Sequence, residues 1–253
     1  MNNSWEAIFK KYQIDTHNFE EQPFFITAEQ IKLATHHFSK TAEKEVRILC
    51  KQDSRENRPL VFIQNNLFLL PVKNGIYAII KGEGYIDIPP IESNLMIYTS
   101  KLDFPLETSL IGNSEMQHLD FAYASSLIRY FTQDDSLVLT IRGRKYSPQF
   151  QFAVNKFPIT VESVQTEIDA GYEGRQQIVL IEAKNSHSKN TIIRQLYYPY
   201  RQWKEHTSKK VSVLFFEKRL SEYFIWQFEF TDLMNYNSIN LVKSARFQIQ
   251  PKS

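Results

Sequence analysis

The sequence predicts an α/β protein in two parts: an N-terminal module of helices and a β-hairpin over residues 1–108, then a central mixed β-sheet flanked by helices over residues 109–253. Three observations predict it. Lys73-Asn74-Gly75 separates the apolar runs LFLLPV and IYAIIKG, and Asn-Gly between such runs is the strongest short-range hairpin signal. Ahead of the hairpin, Thr27 with Gln30 three residues on has the form of a capping box opening a helix. Beyond it, Val179 to Ile181 is apolar on both faces, the mark of a strand at the centre of a sheet.

The elements follow in order. WEAIFKKY, within residues 5–20, reads as a short helix, and a second runs from Thr27 with Ile31, Leu33, Ala34 and Phe38 as its apolar positions. EVRILCK, from Glu45 to Lys51, is a short apolar segment, and a third helix spans Arg58 to Gln64 with Pro59 in its first turn. Helices followed by a hairpin outline a winged-helix-like module, with DNA readout as one use and packing against the core as the other. Ile88-Pro89-Pro90-Ile91 and the loop to Gly112 form a candidate linker or domain edge. Ser114 and Gln117 make a second capping box for one helix carrying Met116, Leu119, Ala122, Tyr123, Leu127 and Phe131. LVLTIR from Leu137 is a strand, and Arg142 to Lys145 a basic loop after it. Strands follow at Phe150–Val154, Ile159–Asp169 and Ile178–Lys184. Ser188 or Asn190 starts a helix through Trp203 that Pro199 should kink or divide. VSVLFFE from Val211, YFIWQFEF from Tyr223 and ARFQIQ from Ala245 complete the strands. There is no internal repeat.

Composition excludes several classes. Hydrophobic residues at 42% and charged residues at 23% suit a soluble globular protein rather than a disordered one. No apolar run has the length of a membrane span, and the first residues do not resemble a signal peptide. One cysteine, Cys50, excludes an internal disulfide and fits the cytoplasm. Neither Gly82-Glu83-Gly84 nor His36-His37 has the spacing of a phosphate loop or a metal pair.

Chemistry concentrates in Gln165–Asn185, QTEIDAGYEGRQQIVLIEAKN. Side chains alternate along a strand, so Glu182 and Lys184 share a face across small Ala183, as do Glu167 and Asp169 on the strand before. If the turn folds the strands side by side, Asp169, Glu182 and Lys184 converge. Two carboxylates suit a hard, oxygen-seeking cation such as Mg²⁺, with the ammonium beside a bound water. The bland alternative is a turn-capping Asp169 and a surface Glu182–Lys184 pair. Against it, charges ending a fully apolar central strand sit poorly unless a ligand uses them.

Asp169, then Glu182-x-Lys184 on a hydrophobic strand, resembles the PD-(D/E)xK nucleases, which include most type II restriction endonucleases; Ile168 stands where the family usually has Pro. The longer wording, IDAGYEG, VLIEAKN and RQLYYPYRQW, extends the resemblance over roughly residue 140 onward. It implies a restriction-endonuclease-like core, with Asp169, Glu182 and the Ala183 carbonyl as Mg²⁺ ligands. Glu167 could add a carboxylate, with Glu162 on the opposite face a lesser candidate. Lys184 would orient or deprotonate the attacking water. The implied activity is Mg²⁺-dependent, sequence-specific cleavage of double-stranded DNA leaving 5′-phosphates, by a homodimer paired functionally with a cognate DNA methyltransferase. The alternatives are a nuclease of repair, junction resolution or transposition, or a non-catalytic DNA-binding regulator.

Net charge is only +2, but Lys184 to Arg219 holds nine basic residues against Glu205 and Glu217, a candidate phosphate-binding rim. Arg194, Gln195, Arg201 and Gln202 form an expected exposed stripe of DNA-contacting side chains, with Arg142, Arg144 and Lys145 further phosphate contacts.

Overall fold

The chain begins with α1 (Asn2–Lys11), whose Trp5, Ile8 and Phe9 turn inward. An edge strand, β1 (Phe24–Thr27), leads into α2 (Ala28–Thr35). The expected capping box closes there: Gln30 N–H donates to Thr27 Oγ1 at 3.1 Å, and Thr27 N–H donates to Gln30 Oε1 at 2.8 Å. Three short turns follow, α3 (Thr41–Lys44), α4 (Val46–Leu49) and α5 (Leu60–Gln64), the last entered from Pro59. The hairpin forms as expected from β2 (Leu67–Lys73) and β3 (Ile76–Lys81), with Gly75 at φ 74°. That left-handed backbone is open to glycine without steric cost. The three strands make an antiparallel sheet in the order β1-β3-β2, and Trp5, Phe62, Leu69 and Ile79 share its core.

The structure is a computed structural model that describes residues 1–252. After the hairpin come β4 (Tyr85–Asp87), β5 (Met96–Thr99), α6 (Glu115–Ala124), α7 (Leu127–Thr132), β6 (Val138–Tyr146), β7 (Phe150–Val154) and β8 (Phe157–Val161). Then follow β9 (Gln165–Glu173), β10 (Gln177–Lys184), β11 (Asn190–Ile192), α8 (Arg194–Lys204), β12 (Lys210–Arg219), β13 (Glu222–Phe230) and β14 (Ile239–Gln250). Seven strands build one mixed sheet in the order β5-β14-β13-β12-β10-β9-β6. β10 and β12 are parallel, as are β14 and β5, and the remaining neighbours are antiparallel. A parallel pair needs a crossover, and α8 supplies it between β10 and β12. One sheet face packs on α6 and α7 through Val179, Ile181 and Leu214; the other packs on α8 and the β7–β8 hairpin through Ile178, Leu180 and Val213. The molecule is thus α+β, with a large mixed sheet between helices. Among the described residues no helix is long and apolar enough to cross a membrane.

Several expectations are corrected. The candidate linker contributes β5, which pairs in parallel with β14 at the sheet edge, so the large sheet recruits residues from before position 108. The single helix from Ser114 is two, broken where Ser126 turns to φ 68° and Ser125 Oγ donates to the Ala122 carbonyl. Its capping box is half made. Gln117 N–H reaches Ser114 Oγ at 3.1 Å, but the Gln117 amide donates to the Thr108 and Ile111 carbonyls instead of bonding back to Ser114. Arg142–Lys145 is not a loop but part of β6, carried through by a bulge and Gly143 at φ 79°. The helix expected from Ser188 or Asn190 starts only at Arg194, after β11 pairs with β4. Pro199 does not divide it.

Candidate nucleic-acid cleft and metal centre

Asp169, Glu182 and Lys184 meet at one end of the sheet. β10 is central, between β9 and β12, and its alternation places Glu182 and Lys184 on the α8 side while Ala183 packs on the opposite face. β9 runs beside β10 only as far as the pair Ile181–Ala170. Beyond it Ala183 N–H has no partner on the β9 backbone and donates to Asp169 Oδ2 at 2.7 Å. A strand residue's N–H and C=O face the same neighbour, so the Ala183 carbonyl lies on the edge that Asp169 occupies.

A bulge sets the aim of Asp169. Between Ile141 and Gly143 on β6, β9 advances from Gly171 back to Ile168, one residue more than its partner. In consequence Ile168 belongs to the core under α8, whereas Ala170 and Tyr172 belong to the core under α6 and α7. Bulges re-aim side chains in this way. The simple alternation that put Glu167 and Asp169 on one face is interrupted here. Both line the same cavity, but Glu167 is exposed and holds Arg144 at 3.2 Å, while Asp169 is half-buried. Glu162 lies away from it, paired with Lys73 at 3.1 Å.

The site is electrostatically tense. Glu182 is 8% exposed, and burial pushes its carboxyl up to about 7, with the Asp169 charge adding to the rise and Lys184 opposing it. Burial also raises Asp169, against the Ala183 N–H and Lys184. Burial disfavours the charge on Lys184, but its ion pair and hydrogen bond with Glu182 outweigh this and its pKa is raised. An ammonium so held can orient a water rather than deprotonate it. Among the described residues no group of three or more His, Cys, Asp and Glu side chains gathers as a metal site; Asp169 and Glu182 are a pair. Two destabilised carboxylates and a backbone carbonyl on the same edge form an all-oxygen donor set of the kind that Mg²⁺, which retains several of its waters, takes up.

These groups open into a cavity of about 580 Å³ between the sheet and the N-terminal module. Sequence reasoning missed Glu115, which lines it from the first turn of α6 and accepts a hydrogen bond from Asn185 N–H at 3.3 Å. Nothing in its spacing could have shown this, because 70 residues separate it from its partner.

The expected DNA-contacting residues divide. Arg194 and Gln195 line the cavity, with Arg194 paired to Asp53 at 3.2 Å and Gln195 accepting from Thr191 Oγ1 at 2.7 Å. Arg201 and Gln202 are not part of an exposed stripe. Arg201, 3% exposed, donates to the Gln151 and Leu233 carbonyls at 2.7 and 3.0 Å and lies over the Phe150 ring; buried Gln202 accepts from Thr166 Oγ1 at 2.7 Å. In the second half of the Pro-containing helix Arg201 and Gln202 are buried, so both serve the interior. Arg201→Ala is expected to cost roughly 2–4 kcal/mol in urea unfolding while leaving DNA affinity of the folded protein unchanged. Weakened DNA binding at undiminished stability would contradict that assignment. On β6, Arg142 is held by Asp120 of α6, and Lys145 sits over the Trp203 ring.

The continuous basic rim is also corrected. β10 and β12 are parallel with Gln177 opposite Lys210 and Lys184 opposite Glu217, so Lys209 and Lys210 lie at the far end of the strands from Lys184. At about 3.3 Å per residue, seven residues of strand separate them by roughly 23 Å. Sequence neighbours here are spatial opposites.

Residues 80–248 match the family described as Domain of unknown function (DUF6997), and residues 2–79 match the one described as Domain of unknown function (DUF6996). The seam between the two falls inside β3. No curated protein and no solved structure matches the chain.

Proposed function

The chain belongs to the DUF6997 family, and we propose that it is a Mg²⁺-dependent nuclease of the PD-(D/E)xK kind, acting on double-stranded DNA as a type II restriction endonuclease. The observation that carries this reading is the convergence of Asp169, Glu182 and Lys184 at the end of a central apolar strand, with Asp169 capping the Ala183 amide inside a cleft. A structural ion pair would not need a second, half-buried carboxylate beside it, since each added charge raises the cost of burial.

Asp169, Glu182 and the Ala183 carbonyl would hold the cation, which would polarise the scissile phosphate and neutralise charge gathering on its oxygens. Lys184, protonated and tethered by Glu182, orients the attacking water by donating to it. Water oxygen bonds to phosphorus, the bond to the 3′-oxygen breaks, and a proton passes to that oxygen, leaving a 3′-hydroxyl and a 5′-phosphate. Arg194 and Gln195, which line the same cavity, would steady the strand.

The N-terminal part supports the DNA reading. Its order of helix, strand, helices and hairpin, with sheet order β1-β3-β2, is compatible with a winged-helix-like module. The test is incubation with unmethylated phage DNA, with Mg²⁺ or EDTA, and sequencing of the fragment ends. Discrete Mg²⁺-dependent fragments sharing a palindrome are expected. A smear would remove the claim of sequence specificity, and DNA left intact, methylated or not, would remove the nuclease.

A further inference from the structure

We propose that the N-terminal module clamps the phosphate backbone of the DNA across the cleft from the catalytic carboxylates, through Arg47, Lys51 and Lys73. The proposal deepens the nuclease reading and rests on it for the identity of the polymer. The three cations come from two separate elements, the α4 turn and the tip of the β2–β3 hairpin, yet they line the cavity that holds Asp169, Glu182 and Lys184. Their side chains are 89%, 74% and 55% exposed. Arg47 and Lys51 face only loose acidic partners, Glu45 at 3.8 Å and Asp53 at 3.9 Å, and Lys73 makes a solvent-exposed ion pair with Glu162 at 3.1 Å. Exposed pairs of this kind are worth little, so exchanging the carboxylate for a phosphate costs little.

The clamp is built rather than floppy. Tyr198 of α8 donates to the Pro71 carbonyl at 2.9 Å, Glu162 N–H to the Val72 carbonyl at 2.9 Å, and Ala28 N–H to the Gly75 carbonyl at 2.8 Å. These bonds tie the hairpin to α8, to the segment after β8 and to the start of α2. The sheet end and α6 bring four carboxylates to the same cavity, Asp169, Glu182, Glu167 and Glu115, against Lys184 and Arg194. A polyanion could not lie against those carboxylates alone. The cations of the N-terminal module would hold it at the distance where a metal ion bridges phosphate and carboxylates.

Binding of a short fluorescent duplex to the full chain in EDTA separates this claim from catalysis. The variant combining Arg47→Ala, Lys51→Ala and Lys73→Ala is compared with one combining Lys204→Ala, Lys209→Ala and Lys210→Ala, which removes equal charge from the segment away from the cleft. Each phosphate contact contributes about 0.9 to the slope of log affinity against log salt. The first variant is expected to bind more weakly on every sequence. Its loss of affinity between about 50 and about 200 mM salt should be about 40-fold smaller than the parent's. The second should bind as the parent does. Equal binding by the first variant, equal weakening by both, or no binding by the parent overturns the clamp. A parent that binds through these residues and never cuts DNA overturns the nuclease while the clamp stands.

Discussion

Glu182→Gln is expected to reduce Mg²⁺-dependent DNA cleavage by at least about a thousandfold while leaving duplex binding in EDTA nearly unchanged. The substitution is isosteric, so the β10 strand and its packing are kept. What is lost is one of two anionic oxygen donors and the tether that aims Lys184. Losing a preorganised charge that acts only as the transition state forms lowers the chemical step rather than affinity, so single-turnover cleavage and equilibrium binding should part company. If the variant cut DNA at the parent's rate, the carboxylate would be structural and the proposed centre would be wrong.

The same carboxylate predicts an unusual dependence of stability on pH. Its folded pKa is raised from 4.5 to about 7 by burial, so between those values the folded chain binds a proton that the unfolded chain has released. Stability from this group is therefore greatest below pH 4.5 and falls as pH rises through the window, by up to about 3 kcal/mol. Other carboxyls pull the opposite way: Glu56 and Asp134 are lowered by hydrogen bonds, to its own backbone N–H for Glu56 and to Ser136 for Asp134, and contribute stability that is lost on acidification. The informative quantity is thus the difference between the parent and Glu182→Gln. The parent should lose roughly 5–10 °C of Tm relative to the variant on going from about pH 5 to about pH 8. Mg²⁺ or Ca²⁺ should restore much of it in the parent, because a cation binds the charged pair only in the folded chain. The variant should respond little. Parallel pH profiles for both proteins would show that Glu182 has no perturbed ionisation.

The hairpin at Asn74-Gly75, the Thr27–Gln30 cap and the strand at Ile178–Lys184 were all legible because each is a local signal. Two residues that must adopt a particular φ, or one side chain that must satisfy a nearby N–H, act over a few bonds and leave a mark in the order of residues. So did the triad of Asp169, Glu182 and Lys184, since two adjacent strands joined by a short turn bring it together.

What tertiary structure decided lies beyond that range. Nothing local marks the bulge that re-aims Asp169, which is set by pairing with β6. The helix of Arg201 reads as amphipathic with a polar face, yet Arg201 on that face meets the carbonyls of Gln151 and Leu233, brought there from elsewhere in the chain. The basic run after Lys184 looked continuous in one dimension. A parallel crossover carries Lys209 and Lys210 to the opposite end of the strands, while Arg47, Lys51 and Lys73, more than a hundred residues upstream, arrive at the cleft. The order of residues alone was enough for the coarse class, helices around a mixed sheet, and for which side chains of one site meet, because backbone conformation and strand alternation are short-range. Which charges face that site was decided by strand order and by packing of the N-terminal module. Burial and Coulomb interactions depend on distance in space, and the chain sets that distance only once it is folded.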